Sequence, residues 1–189
     1  MADHVSSIAT GASRLSCAHM ELSSTSGFIR HAGETDMIAA GRLLHDFNRE
    51  FDEPTPSPEV LADRLRQLVA GGDTIVLLAE QEPTGIVVLR LRGAIWSAAL
   101  ECYLAELYVT PKARRRGVGR ALMQAAIREA RERGAETMDI GVDEPDFAAR
   151  RLYESMGFTN RVGGPDGPLM YVYERELHAA RQEPTDASG

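Results

Sequence analysis

Between Phe28 and Leu177 the apolar positions come in short blocks whose spacing alternates between the strand and helix periods. Phe28 to Ala32 reads as a short strand, and Thr35 or Asp36 can cap a helix running to about Phe51. Pro54, Pro56 and Pro58 stop that helix. Ser57 caps the next one with Pro58 at its first position, and Leu61, Leu65, Leu68 and Val69 give it an apolar stripe up to Gly71 and Gly72. Three β-rich runs follow, Thr74 to Ala79, Gly85 to Leu91 and Leu100 to Val109, the last closed by Pro111. A helix from about Gly117 to Arg133 ends at Gly134, and Thr137 to Val142 has strand length. Asp146 can cap a helix bearing Ala149, Leu152, Tyr153 and Met156, with Gly157 as its stop. Phe158 to Val162 and Leu169 to Leu177 read as closing strands. The predicted order is βααβββαβαββ, a mixed α/β (α+β) sheet with one β-helix-β crossover that favours parallel pairing.

This pattern occupies one continuous domain, residues 28–177. Residues 1–27 are rich in Ser, Ala, Thr and Gly without a sustained period and read as a flexible N-terminal tail, with Met20 as an alternative start to Met1. Residues 178–189 read as a polar C-terminal tail. The 189-residue length suits a single core. No apolar run approaches the roughly 20 residues needed to span a bilayer. No secretory signal opens the chain, since Arg14 falls where its apolar centre would run. Only Cys17 and Cys102 occur, which excludes a disulfide framework and a thiolate metal site and fits a reducing cytoplasm. His19, His31 and His45 are isolated, so no spacing implies a metal.

The net charge of −7 disfavours nucleic acid and anionic membranes as partners. Against that background Lys112, Arg114, Arg115, Arg116 and Arg120 hold five of the 21 basic residues in one short segment. There a strand ends at Pro111, and Gly117, Val118 and Gly119 open a helix whose first amides lack intrahelical partners. Such a helix start is an anion site, and glycine at 117 and 119 would keep a Cβ from standing between the backbone and the anion. Several charge-assisted hydrogen bonds of about 1.5–3 kcal/mol each would dominate the binding of a pyrophosphate. The Gly-x-x-x-x-Gly-Lys-Ser/Thr and Gly-x-Gly-x-x-Gly patterns are both absent, which removes support for ATP and dinucleotide sites.

Arg114-x-x-Gly117-x-Gly119, placed after the strand Leu107 to Val109, resembles the acyl-CoA pyrophosphate loop of the GCN5-related N-acetyltransferase (GNAT) family. The run Asp146-x-x-Ala149-x-x-Leu152-Tyr153-Glu154-x-x-Gly157-Phe158 is similar to that family's second signature, which usually opens with Asn rather than Asp. The resemblance implies transfer of an acetyl group from acetyl-CoA to a primary amine, with no metal, by direct attack in a ternary complex. It implies that the third long strand and the strand after the loop helix splay apart around the thioester. Leu107, Tyr108 and Val109 would hold the pantetheine arm through their backbones, and Arg114, Arg115, Arg116, Gly117, Val118, Gly119 and Arg120 would hold the pyrophosphate. Asp146 and Ala149 belong to the second signature beside the cofactor, with Asp146 alternatively a plain helix cap. Tyr153 would protonate the departing thiolate.

A general base must deprotonate the ammonium before attack. Glu101 and Glu106 both lie on the strand entering the loop, and strand alternation sends them to opposite faces unless a bulge intervenes. Glu106 is at a position where relatives often carry an acid and is the first choice. Some relatives carry a base on the strand after the loop helix, where this chain has Gly141. The first two helices and their connection carry Asp46, Glu50, Asp52, Glu53, Glu59 and Asp63 against Arg49 and Arg64, which points to a cationic acceptor such as a polyamine, an aminoglycoside-like molecule or a protein amine. The alternatives are a non-catalytic acyl-CoA sensor and a transferase for another acyl group or acceptor. Pairing of exposed edge strands offers a route to a homodimer.

Overall fold

The computed structural model describes residues 28–175 and residue 177; both tails read from the sequence lie outside this range. The chain runs β1 (Ile29–His31), a 3-10 turn over Glu34–Asp36, α1 (Met37–Glu50), α2 (Pro58–Ala70), β2 (Thr74–Ala79), β3 (Gly85–Gly93), β4 (Leu100–Val109), a second 3-10 turn over Pro111–Ala113, α3 (Val118–Glu132), β5 (Ala135–Ile140) and α4 (Phe147–Glu154). The strands form one sheet in chain order, antiparallel from β1 to β4, with β5 joined parallel to β4. The parallel step is the one made through a helix, α3, as a crossover requires.

Helices cover both faces. Met37, Ala40, Leu43, Ala62 and Leu65 of α1 and α2 pack on Val76, Leu78, Ile86, Val88 and Tyr108. On the other face Val118, Leu122, Met123 and Ala126 of α3 pack on Leu77, Val87, Leu89, Cys102 and Leu104. Burial from two sides explains why β2 is a run of six buried residues, Thr-Ile-Val-Leu-Leu-Ala, rather than an alternating strand. Local signals set the helix boundaries. Ser57 Oγ accepts the Val60 amide at the start of α2 with Pro58 in its first turn, and Asp146 accepts the Ala149 amide at 3.0 Å at the start of α4. At the α1 entry Asp36 accepts two hydrogen bonds from Arg30, at 2.6 and 2.8 Å, and the Gly33 amide at 2.8 Å.

The two closing strands expected from the sequence do not form. Within Phe158 to Val162 and the described part of Leu169 to Leu177, pairing is limited to an antiparallel bridge between Arg161 and Leu169. Val162 N donates to Pro168 O and Met170 N to Asn160 O, so a hairpin starts around the Gly-Gly-Pro-Asp-Gly-Pro turn and goes no further. Tyr171, Val172 and Tyr173 stay exposed and bury no apolar face, and a two-residue hairpin has little stability of its own. Among the described residues the sheet therefore has five strands, with β1 and β5 at its two edges. Among the described residues no helix is long and apolar enough to cross a membrane.

Candidate active site

β4 and β5 pair from Leu100 and Ala135 to Leu104 and Ile140, and no further. β4 continues to Val109, while the chain after Ile140 leaves the sheet at Gly141 and Val142. From Ala105 to Val109 the strand keeps β3 on one flank and, among the described residues, has no strand on the other. The sheet thus opens into a wedge at the end of β4 that leads to the basic loop.

The same stretch begins with a bulge. Val88 faces Glu106 across β3 and β4 while its neighbour Leu89 faces Leu104, which leaves Ala105 as the extra residue. The bulge reverses parity: Cys102 and Leu104 lie under α3, and so do Leu107 and Val109 further on. Glu101, opposite Arg92, and Glu106, opposite Val88, consequently share the α1–α2 face, against what simple alternation gives. Glu101 is held by Arg92 at 2.7 Å. Glu106 is half-buried with no hydrogen-bond partner among the described residues, and burial alone pushes its carboxyl above the usual carboxylate range.

Tyr153, on α4, is buried on the other side of the sheet in the cluster formed with α3, its ring edge-on to Phe158 at 6.1 Å. Burial first, and then the nearby Asp146 carboxylate, push its hydroxyl up to about 12, so it stays protonated at neutral pH. Cys102 is buried and its thiol is pushed up to about 11 by burial, which leaves no thiolate to carry an acyl group.

The loop joining β4 to α3 turns through two left-handed residues, Arg115 at φ 60° and Gly117 at φ 85°. Gly117 precedes the first residue of the 15-residue α3, whose leading amides lack intrahelical partners. A Cβ at Gly117 would meet nothing within 4 Å, so its conformation, not crowding, calls for glycine. A Cβ at Gly119 would sit 3.6 Å from Leu152 Cδ2 and 3.7 Å from Val109 Cγ2, an ordinary contact between the end of β4 and α4. Beside the expected clearance for an anion, the two glycines thus have separate structural roles, a left-handed turn at Gly117 and a helix-strand contact at Gly119. Val118 is buried beneath the loop. Lys112, Arg115 and Arg116 are exposed and make no ion pair among the described residues, whereas Arg120 Nη2 donates to Ser155 Oγ at 2.8 Å and joins α3 to the end of α4.

Arg114 is engaged elsewhere. Its Nη1 and Nη2 donate to the two carboxylate oxygens of Glu50, each at 2.6 Å, and its Nε donates to Val109 O at 2.9 Å. Its guanidinium lies over the Tyr108 ring, 5.7 Å from the centroid, and Phe47 packs against that ring at 5.3 Å. No sequence signal marks this contact, which joins residues 64 positions apart. The pair also changes the acidic wall: Glu50 is neutralised by Arg114 and Asp63 by Arg66, and Glu59 lies in the cap of α2 beside Ser57. Asp46, Asp52 and Glu53 are left with no cation partner among the described residues. The site therefore combines an open strand flank, a helix start with free cations, and one acid on each side of the sheet.

Comparison with known proteins bears on the fold and the family. The chain is similar to an uncharacterized N-acetyltransferase, YhfO, of Bacillus subtilis (strain 168), with 27% identity over 137 residues, 71% of this chain and 91% of that protein. It is 41% identical over 58 residues to the ribosomal protein bS18-alanine N-acetyltransferase of Escherichia coli (strain K12), covering 31% of this chain and 39% of that enzyme. A crystal structure from Arthrobacter sp. FB24, described as an acetyltransferase, superposes with a TM-score of 0.72 at 43% identity, over 79% of this chain and 96% of that one. Residues 40–158, from α1 through the wedge and loop to Phe158, match the profile of the acetyltransferase (GNAT) family, and the chain belongs to that family.

Proposed function

We propose that the protein is an acetyl-CoA-dependent N-acetyltransferase acting on a primary amine by direct attack in a ternary complex. The observation that carries this reading is the wedge itself, where β4 from Ala105 to Val109 offers an unpaired flank that leads to the α3 helix start. The backbone of Leu107, Tyr108 and Val109 would take the pantetheine arm, and one of these amides would stabilise the charge that develops on the thioester oxygen. The α3 amides from Val118 onward, with Lys112, Arg115 and Arg116, would take the pyrophosphate. Glu106, facing α1 and α2, accepts the proton of the incoming ammonium; its raised affinity for protons suits that task. The amine then attacks the thioester carbonyl, the C–S bond breaks, and Tyr153 donates its proton to the departing CoA thiolate from the opposite face and is reprotonated by the proton that the new amide nitrogen loses. Asp146 and Ala149 act as the cap and first turn of α4, fixing the helix that carries Tyr153.

Asp46, Asp52 and Glu53 favour a cationic acceptor, either a small polyamine or aminoglycoside-like molecule or a protein amine. We place the activity in a reducing cytoplasm, consistent with the lack of a disulfide framework, and β1 or β5 as the edge available to a homodimer. The test is free thiol release from acetyl-CoA, for wild type and Tyr153→Phe, across polyamines, aminoglycosides, amino acids and peptides with Lys or free N-termini. Tyr153-dependent release with one amine class supports the reading and names the acceptor. CoA binding without release across the panel would instead make the protein an acyl-CoA sensor.

A further inference from the structure

We propose that Glu50 is a positioning residue for the pyrophosphate loop, acting through Arg114, an inference that rests on the acetyl-CoA reading above. Arg114 is the last residue before the left-handed turn at Arg115, and three of its nitrogens are fixed from two directions. Val109 O holds Nε from the end of β4, and the Glu50 carboxylate holds both terminal nitrogens from the last turn of α1. A planar guanidinium gripped in this way by a fork of two 2.6 Å bonds has one orientation, and the Tyr108 ring beneath it removes the remaining freedom. The backbone that leads from Arg114 through Arg115 to Gly117 is therefore set from α1, an element that contributes no amide to the anion site. Arg114 so engaged acts as a strut of the loop, and the side-chain charge offered to the anion comes from Lys112, Arg115 and Arg116.

This role makes a prediction opposite in sign to the simplest alternative. If Arg114 were a phosphate ligand that Glu50 merely holds in reserve, removing the Glu50 charge would release it and tighten the binding of CoA. If Arg114 is a strut, the same change loosens the loop and weakens binding. Each contact of this partly exposed pair is modest, so the expected loss is about threefold to tenfold.

The measurement is calorimetric binding of CoA to wild type, Glu50→Gln, Arg114→Gln and the double variant, with the thermal midpoint of each followed in parallel. Glu50→Gln is isosteric, and Glu50→Asp serves as a second, shorter carboxylate that should recover part of the affinity. The expected result is weaker CoA binding in both single variants, with the double variant no weaker than the worse of the two. The KM for acetyl-CoA should rise by a similar factor, and the KM for the acceptor by less, a split that general loss of structure would not give. Unchanged or tighter binding in Glu50→Gln, or additive losses in the double variant, would overturn the strut. Failure of wild type to bind CoA would instead remove the acetyl-CoA reading on which it rests.

Discussion

Glu106 and Tyr153 stand on opposite faces of the sheet, the first opposite Val88 beneath α1 and α2 and the second in the cluster beneath α3. An intact sheet would separate them. Pairing of β4 with β5 ends at Leu104 and Ile140, and on the proposed mechanism both groups act on a substrate held beyond that point, one taking a proton and the other returning one. Burial raises both groups, leaving a carboxyl that titrates above the usual carboxylate range and a phenol that stays protonated, the two states that the proposed base and acid need.

Tyr153→Phe should lower turnover by about a hundredfold or more, the usual scale for loss of a positioned general acid. Affinity for CoA, measured by calorimetry, should change little, because in the proposed mechanism the lost hydroxyl acts only on the leaving thiolate. A turnover equal to wild type would remove Tyr153 from the chemistry.

The pH profile should separate the two groups. Glu106 must be ionised to accept a proton, and burial raises its carboxyl, so kcat/KM should climb with pH through a value above the usual carboxylate range. Tyr153 must be protonated and holds its proton to about 12, so it contributes no falling limb near neutrality. In Glu106→Gln the climbing limb should disappear along with most of the rate. A limb that persists in Glu106→Gln would assign it to another group.

The two loop glycines should respond differently to alanine. At Gly117, with φ at 85°, an L-residue is strained, and Gly117→Ala should cost about 1–2 kcal/mol in chemical denaturation. Gly119→Ala adds a methyl at ordinary contact distance from Leu152 and Val109 and should be close to neutral in stability. Gly119→Asp should weaken CoA binding through the charge it brings to the end of β4, and equal affinity by calorimetry would separate that position from the cofactor.

Asp36 provides a prediction independent of the reaction. The two hydrogen bonds from Arg30, and then the Gly33 amide, hold its carboxyl below the ordinary value. A carboxyl lowered in the folded state adds stability that is present above its unfolded value and is lost as pH falls through the lower folded one. Asp36→Asn should therefore reduce stability by about 1–2 kcal/mol at neutral pH, and the gap from wild type should close in acid. A gap independent of pH would argue against the ion pair as its origin.

Much of this architecture is legible along the chain because it follows from contacts between near neighbours. Ser57 with Pro58, Gly117 before Val118 and Asp146 before Phe147 each carry their own stop or start, and the all-apolar β2 announces burial on both faces. What escapes the sequence depends on distant partners. Ala105 has no turn chemistry, and its extra place in β4 exists only against the register of β3. Glu50 looks like any acid at the end of a helix until Arg114 meets it across 64 positions. Leu169 to Tyr173 has the composition of a strand, yet composition supplies neither an edge to pair with nor a surface to cover, and these residues lie exposed.

The bulge at Ala105 also divides β4 in its dynamics. Leu100 to Leu104 is an interior strand, bonded on both flanks, while Glu106 to Val109 is an edge strand placed inside the sheet, with β3 alone beside it. Amide hydrogen exchange should record that division within one ten-residue strand: slow exchange in the first half, and in the second a split between amides directed at β3 and those directed into the wedge. Such an edge keeps a row of backbone donors and acceptors open, and an extended chain laid alongside it would complete the ladder that β5 leaves unfinished.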